Sequence, residues 1–138
     1  AEFGNEILIE EYIPGREITV GVLGNKPLPI VEILPNHDLY DYECKYTDGM
    51  SDYVVPADLP DSVSRAVSED AIKIYKTIGC RHYSRIDFRL NENNEHFLLE
   101  VNALPGMTST SLLPKAAEAA GLDFDNLIDT IIKIATME

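Results

Sequence analysis

The feature that most constrains the fold is the stretch RIDFRLNENNEHFLLEVN, residues 85–102, in which apolar and polar side chains alternate around a short polar centre. Alternation with a period of two is typical of strands with one buried face. Asn93-Asn94 tolerates the positive φ angles of a two-residue turn, so the stretch predicts a β-hairpin. Such a turn places three apolar pairs on one side: Ile86 with Val101, Phe88 with Leu99, and Leu90 with Phe97.

The other side of this hairpin carries an unfavourable pair, because Asp87 faces Glu100. Like charges directly opposite each other destabilise a sheet. Asn102 lies on the same face by alternation, and Arg85 sits across from Asn102. Two interpretations follow from the residues alone. The carboxylates line a solvated sheet face, or they hold a hard cation such as Mg²⁺ or Mn²⁺ through oxygen ligands.

The rest of the chain predicts an α+β fold with an antiparallel sheet and flanking helices. Three strands are expected at residues 6–13, 16–24 and 28–34, joined by turns at Pro14-Gly15 and at residues 25–27. Residues 36–58 are rich in Tyr and Asp and indicate an irregular, functional loop. No composition shift or linker divides the chain into domains.

Three helices are expected in the second half. The first spans residues 60–78 and stops at Gly79, with four apolar residues on one face: Val63, Val67, Ile74 and Ile78. A short second helix ends at Gly121. The last helix has Asp123 as its N-cap and three inward residues: Leu127, Ile131 and Ile134.

Charge and hydropathy exclude some classes of partner. The 138 residues include 11 Lys and Arg against 24 Asp and Glu, a formal charge of −13 that repels nucleic acid and anionic lipid. We therefore expect no nucleic-acid partner. No apolar run is long enough to span a membrane. Cys44 and Cys80 lack a CxxC pairing, which favours reduced thiols and a cytoplasmic protein.

Four blocks together resemble one family. They are ILIEEYIPGREITVGVLG (7–24), YDYECKYTDG (40–49), RIDFRL (85–90) and LLEVNALPGMTSTSLLP (98–114). In this order they are similar to the C-terminal half of the ATP-grasp domain of bacterial D-alanine:D-alanine ligases, from about Glu6 onward. The E-x-N pair alone would indicate only some ATP-grasp enzyme. KYTDG combined with PGMTSTSLLP indicates this ligase.

The resemblance implies a metal and nucleotide site. Asp87, Glu100 and Asn102 match the residues that hold two Mg²⁺ (or Mn²⁺) ions against the phosphates of ATP, the co-substrate. Five other positions match nucleotide contacts: Glu10, Glu11 and Ile13 for the adenine, Glu17 for the ribose and Lys45 for the phosphates. Taken alone, Glu10, Glu11 and Lys45 would read as solvated surface residues.

The resemblance also implies roles in catalysis and substrate binding. Arg85 and the backbone N–H of Gly106 match the donors of an oxyanion site, and Tyr46 matches a residue that orders the loop over the active site. Ser111 and Leu112 match residues that bind the carboxylate of the second D-alanine. A helix N-terminus with a free hydroxyl is a sound anion site. Without the resemblance, Ser111 could equally be a plain N-cap.

The function that the resemblance implies is ATP-dependent joining of two D-alanine molecules. ATP phosphorylates the carboxylate of the first, and the amine of the second attacks the acyl phosphate, which yields the dipeptide for peptidoglycan. Members of the family are commonly cytoplasmic homodimers. Two alternatives stay open: a ligase that joins D-alanine to D-lactate or D-serine, and a non-catalytic cation-binding module. The loop that contains Tyr46 is similar to that of the dipeptide-forming type.

The resemblance also predicts what the chain lacks. The family's substrate-binding N-terminal domain, its glycine-rich phosphate-covering loop and two nucleotide-contacting lysines have no counterpart in the sequence. The chain begins with Ala1 rather than Met. We therefore expect residues 1–138 to be part of an ATP-grasp domain, inactive or nearly so by itself.

Overall fold

The computed structural model describes residues 7–35 and 51–137. These residues form an α+β fold, as predicted, with an antiparallel sheet of six strands and three helices. The strands are β1 (Arg16–Leu23), β2 (Lys26–Pro27), β3 (Val31–Pro35), β4 (Ser51–Val54), β5 (Tyr83–Leu90) and β6 (His96–Asn102). The helices are α1 (Asp61–Ile78), α2 (Leu112–Ala119) and α3 (Phe124–Thr136).

The strand β1 organises the sheet. The strand order is β4-β3-β1-β5-β6, and β2 pairs with the end of β1. Each neighbouring pair is antiparallel, and β1 pairs with β5 along its whole length, from Arg16 opposite Leu90 to Leu23 opposite Tyr83. Because side chains alternate along each strand, this register sorts the residues of β1 and β5 onto two different faces.

One face of the sheet packs on α1 and forms the main core. It collects the even-numbered apolar residues of two strands: Ile18, Val20 and Val22 from β1, and Ile86, Phe88 and Leu90 from β5. These pack with Val67, Ala71 and Tyr75 of α1. Burial of each large apolar side chain is worth about 1.5 to 3 kcal/mol relative to exposure. The alternation that predicted the strands therefore also supplies the core.

The opposite face packs on α2 at the position of Gly21. A Cβ atom at Gly21 would lie 2.7 Å from Cδ1 of Leu113, so the absence of a side chain lets α2 approach β1 closely. Ala116, Ala117 and Leu127 complete this smaller buried region. Beyond it, the odd-numbered positions of β1 and β5 bear the polar residues of the site described below.

The helix signals in the sequence are largely confirmed. Gly79 adopts φ 78° after α1, and Gly121 adopts φ 82° after α2. Asp123 caps α3 by accepting a hydrogen bond from the backbone N–H of Asn126. One expected core position is wrong, because Ile78 is 59% exposed in the last turn of α1, past the final buried residue Tyr75.

One strand prediction is wrong, a second shifts, and one strand of the structure was not predicted. Residues 7–14 form no strand, and Ile7, Leu8 and Ile9 are each more than 80% exposed. A segment rich in apolar residues becomes a strand only where a neighbour supplies backbone hydrogen bonds, and both sides of β1 are already taken by β3 and β5. The expected strand at residues 28–34 begins instead at Val31, and β4 lies inside the segment expected to be irregular.

No helix in the two described ranges is both long enough and apolar enough to cross a membrane.

Candidate functional site

The hairpin β5–β6 follows the predicted register at its open end. Arg85 pairs with Asn102, Ile86 with Val101 and Asp87 with Glu100. The register then shifts by one residue, so that Phe88 pairs with Leu98, Arg89 with Phe97 and Leu90 with His96. The predicted pairs of Phe88 with Leu99 and of Leu90 with Phe97 are therefore wrong. Leu99 is the extra residue of a β-bulge next to the two carboxylates.

The cause of the shift lies in the turn. Asn91 and Glu95 form a backbone hydrogen bond of 3.0 Å, and residues 92–94 make the loop between them. The side chain of Asn91 accepts hydrogen bonds from the backbone N–H groups of Asn93 and Glu95. Asn94 adopts φ 60°, as the left-handed position of a three-residue loop requires. These two hydrogen bonds to the side chain of Asn91 thus favour a loop of three residues, where a loop of two was predicted.

The bulge changes which side chains share the carboxylate face. Phe97 lies opposite Arg89, and Arg89 shares the face of Asp87 because the two are two positions apart on one strand. Phe97 is 38% exposed rather than part of the core. An aromatic side chain therefore joins the charged residues on the open face of the sheet.

Asp87 is a buried carboxylate at the centre of this face, with 2% exposure. Arg85 donates from Nε to Oδ1 at 2.9 Å and from Nη2 to Oδ2 at 2.7 Å. Thr19, the register partner of Asp87 on β1, donates from Oγ1 to Oδ1 at 2.5 Å. A buried charge requires such partners, and this bidentate guanidinium contact supplies the opposite charge.

Asn102 lies between the two carboxylates. Its Nδ2 is 3.3 Å from Oδ2 of Asp87 and 3.1 Å from Oε1 of Glu100. Nη2 of Arg85 lies 3.7 Å from the same Oε1. The structure thus brings together the three predicted metal ligands and the predicted oxyanion donor Arg85. Rotation of the Asn102 amide by a half-turn would present an oxygen instead of a nitrogen to this position.

The donor set fits a hard cation. Two carboxylates and one amide supply only oxygen ligands once the Asn102 amide is turned, and such ligands suit Mg²⁺ or Mn²⁺ rather than zinc. No group of three or more His, Cys, Asp or Glu side chains arranged for a metal is found in the described residues. A cation here would complete its coordination with waters or with oxygens of a bound ligand, as Mg²⁺ commonly does with waters and substrate phosphates.

Arg89 connects this face to the segment that precedes β1. Its Nε donates to the backbone carbonyl of Ile13 at 3.0 Å, and its guanidinium lies 5.7 Å from the ring centroid of Tyr12. Nη1 of Arg89 is also 3.7 Å from Oε2 of Glu17, a side chain with 8% exposure. The predicted adenine contact Ile13 and the predicted ribose contact Glu17 therefore meet at one guanidinium.

A cavity of about 570 Å³ lies at this end of the sheet. Ile13, Leu90 and Phe97 give it apolar walls, and Glu11 and Arg16 contribute charged groups to its lining. Glu10 and Glu11 are both exposed. Apolar walls with a few polar groups are typical of sites that bind small molecules.

The segment after β6 carries the predicted anion site. A Cβ at Gly106 would lie 3.0 Å from Oγ of Ser111, so a side chain here would press on that hydroxyl. Ser111 occupies the N-cap position of α2, yet its side chain makes no capping hydrogen bond. Its Oγ accepts instead from the backbone N–H of Thr108, with the Thr108 hydroxyl 2.9 Å away. The plain N-cap interpretation of Ser111 is therefore not what the structure shows.

The next residue, Leu112, begins α2 and is half-buried.

The roles predicted for all these side chains stay predictions, and two of the residues, Lys45 and Tyr46, lie outside the described residues. Three residues were missed by the sequence reasoning: Thr19, Arg89 as a link to Ile13, and Phe97. Two features would have revealed these residues: the pairing of β1 with β5 and the bulge in β6. Neither can be read from alternation within one segment.

Comparisons with known proteins identify one family. A family model described as the D-ala D-ala ligase C-terminus matches residues 1–133. The D-alanine–D-alanine ligase of Syntrophotalea carbinolica is 44% identical over 131 residues, which cover 95% of this chain and 43% of that protein. That of Fervidobacterium nodosum is 48% identical over 140 residues, which cover 97% and 44%.

Solved structures show the same likeness. The D-alanine–D-alanine ligase of Bacillus anthracis complexed with ATP has a TM-score of 0.79 and 38% identity, covering 93% of this chain and 42% of that one. The VanG D-Ala:D-Ser ligase of Enterococcus faecalis has a TM-score of 0.74 and 32% identity, covering 90% and 37%. The fold is that of the C-terminal half of an ATP-grasp domain. The chain spans less than half the length of these relatives.

Proposed function

We propose that this chain, which belongs to the D-ala D-ala ligase C-terminus family, carries part of the active site of a ligase that joins two D-alanine molecules at the expense of ATP. The product, D-alanyl-D-alanine, would serve peptidoglycan synthesis. The observation that carries the proposal is the buried Asp87 opposite Glu100, with Asn102 between them. On the same sheet face Arg89 contacts Ile13 and pairs with Phe97, two residues that line the apolar cavity.

The nucleotide would lie along this face. Its base would enter the cavity beside Ile13 and Phe97, near Glu10 and Glu11, and its ribose would meet Glu17. The phosphates would then point toward Asp87, which lies about 7 Å from Arg89 along β5 at the usual rise of a strand. Lys45 would add a positive charge at the phosphates. The Bacillus anthracis ligase was solved as a complex with ATP, which supports ATP as the nucleotide.

Asp87, Glu100 and Asn102 would hold two Mg²⁺ or Mn²⁺ ions. When bound, such ions neutralise charge on the transferring phosphoryl group and align it with its acceptor. The sheet contributes rigidity, since β5 is paired on both sides and Asp87 cannot move without disturbing the core beneath it. Ligands set on such a rigid element suit a reaction that depends on positioning.

The reaction would proceed in two steps. The carboxylate of one D-alanine attacks the terminal phosphorus of ATP, and an acyl phosphate and ADP result. The amine of the second D-alanine would then attack the acyl carbon, phosphate would leave, and the nitrogen would lose a proton to give the amide. Arg85 and the N–H of Gly106 would donate to the oxygen that gains charge in this second step, a contribution of about 3 to 4 kcal/mol per donor.

The second D-alanine would be held by its carboxylate. Ser111 and Leu112 lie where α2 begins, and the hydroxyl of Ser111 is not used for capping. A hydroxyl and the free N–H groups of a helix N-terminus favour an anionic group. Tyr46 would order the loop that closes over both substrates.

A second candidate function is a ligase that adds D-serine, and the likeness to the VanG D-Ala:D-Ser ligase favours considering it. The corresponding D-lactate enzymes share the same metal and nucleotide chemistry. Competition between D-alanine, D-serine and D-lactate in a complete enzyme that contains this chain distinguishes the three. A non-catalytic cation-binding module would instead bind its cation without regard to ATP.

We also propose that this chain alone does not catalyse dipeptide formation. It spans about 43% of the Syntrophotalea relative, and the family's glycine-rich loop has no counterpart in its sequence. The complete enzyme would be a cytoplasmic homodimer. Dipeptide synthesis by the isolated chain would contradict this part of the proposal.

The test is a calorimetric titration of the chain with ATP, with and without Mg²⁺. We expect binding only with Mg²⁺, and we expect Asp87→Asn and Glu100→Gln each to weaken it by at least about 10-fold. Asp129→Asn is the matched control, since Asp129 is an exposed carboxylate on α3 that pairs with Lys133. Equal ATP binding in the absence of metal would refute the role given to the opposed carboxylates.

A further inference from the structure

Thr19 is a buried hydroxyl directly opposite the central carboxylate of the site. It is 1% exposed on β1 and is the register partner of Asp87 on β5. Its Oγ1 lies 2.5 Å from Oδ1 of Asp87 and 3.2 Å from the carbonyl oxygen of Ile86. A hydroxyl has one proton to donate. The shorter distance and the charge of the acceptor favour the carboxylate.

The contacts of Asp87 divide into two groups. Arg85 and Asn102 approach from the open side, with Arg85 contacting both carboxylate oxygens and Asn102 only Oδ2. Thr19 approaches from within the sheet and contacts Oδ1. A cation shared by Asp87 and Glu100 would lie near the Asn102 amide, on the Oδ2 side. The hydroxyl therefore holds the oxygen that points away from the cation position.

Thr19 is well suited to hold that oxygen in place. A β-branched side chain in a strand has few accessible χ1 rotamers. The backbone of Thr19 is fixed between β3 and β5, where it pairs with Val31 on one side and Asp87 on the other. Its hydroxyl is consequently more rigid than the long side chain of Arg85, which has several rotatable bonds.

We propose that Thr19 is a positioning residue for the cation site: its hydroxyl orients the Asp87 carboxylate so that Oδ2 faces Glu100 and Asn102. This inference rests on the proposed function, because it assumes that Asp87 binds a cation. Partners of metal-binding side chains fix ligand orientation, and their loss typically lowers metal affinity. A residue that merely filled space would affect stability and leave the affinity unchanged.

The experiment is a titration of the chain with Mn²⁺, with free Mn²⁺ followed by electron paramagnetic resonance. Thr19→Val removes the hydroxyl at nearly constant volume. Thr19→Ser and Thr19→Ala form a second pair that differs only in the hydroxyl. Thr77→Val is the matched control, because the Thr77 hydroxyl donates to the backbone carbonyl of Lys73 on α1, away from the site.

The expected result follows the hydroxyl rather than the size of the side chain. Thr19→Val and Thr19→Ala should weaken Mn²⁺ binding by about 10- to 100-fold, while Thr19→Ser stays within about threefold of the natural chain. Thr77→Val should bind as the natural chain does. Circular dichroism checks that each variant is folded. If Thr19→Val does not fold, the comparison of Thr19→Ser with Thr19→Ala shows whether the hydroxyl affects Mn²⁺ affinity.

Equal affinity of the Val or Ala variant and the natural chain overturns the role of Thr19 and leaves the cation site intact. So does a Ser variant that binds as weakly as the Ala variant. Failure of the natural chain itself to bind Mn²⁺ overturns the cation site of the proposed function, and the role of Thr19 falls with it. The two failures are thus distinguishable in one set of titrations.

Discussion

The two faces of β1 and β5 use the same backbone for opposite purposes. The face toward α1 carries apolar residues at alternate positions, such as Ile18 and Phe88, which are almost completely buried. The face toward the site carries Thr19 and Asp87 at the intervening positions, equally buried but polar. The first face gains free energy from burial alone. The second is stable only because each buried polar group has a partner.

This difference separates what stabilises the fold from what performs chemistry. A buried carboxylate on a rigid, paired strand cannot move toward solvent, so its charge must be compensated where it stands. It therefore holds a guanidinium or a cation in a defined place. The apolar face makes that rigidity possible. Single substitutions on each face test whether the two faces are as separable as the geometry indicates.

Phe88→Ala should have the largest effect on stability, and it acts on the apolar face. Phe88 is 1% exposed, and its truncation should lower the free energy of unfolding by about 3 to 5 kcal/mol. Urea denaturation followed by circular dichroism measures the loss. Phe124→Ala is the matched control, because Phe124 is 38% exposed and should cost much less. Similar losses for both variants would contradict the central place of Phe88 in the core.

Arg85→Met should lower the free energy of unfolding by removing a charge from the polar face. It leaves the buried Asp87 without the guanidinium that bonds both of its oxygens, at a cost of about 3 kcal/mol. Urea denaturation with and without millimolar Mg²⁺ sharpens the test. We expect Mg²⁺ to restore more stability to this variant than to the natural chain, since a cation can replace the lost charge. A variant as stable as the natural chain without Mg²⁺ would show that the pair is not needed.

Gly21→Ala should have a smaller effect, where the site face meets α2. The new Cβ would lie 2.7 Å from Cδ1 of Leu113, and overpacking of this kind costs about 1 to 3 kcal/mol. A double-mutant cycle with Leu113→Ala measures the contact by urea denaturation. The loss caused by Gly21→Ala should shrink when Leu113 is truncated. Equal losses in both backgrounds would place the strain elsewhere.

Much of the site was predictable because its key residues are close in sequence. Asp87 and Glu100 belong to one hairpin, so alternation and a short turn were enough to place them opposite each other. The turn length was predicted one residue short. The pairing nevertheless survived, because the bulge at Leu99 offsets the extra loop residue before the carboxylates are reached.

The residues that the sequence reasoning missed depend on long-range pairing. Thr19 meets Asp87 across 68 positions, and Arg89 meets Ile13 across 76. The alternation of β1 shows that Thr19 lies on one of two faces, but the identity of its neighbour depends on the strand order and register. The same limit explains residues 7–14, whose apolar residues are typical of a strand although both sides of β1, the next strand along the chain, are taken by β3 and β5.

The sequence by itself determined the helices with their caps, the alternation of β1, β5 and β6, and the two carboxylates that oppose each other across the hairpin. These follow from interactions between residues close along the chain, whose geometry is set by backbone sterics and side-chain type. Only the tertiary structure decided the strand order, the bulge, and the placement of Thr19, Arg89 and Phe97 around Asp87. Those depend on which segments gain the most by burying their faces together, a free energy that belongs to the whole fold and not to any one segment.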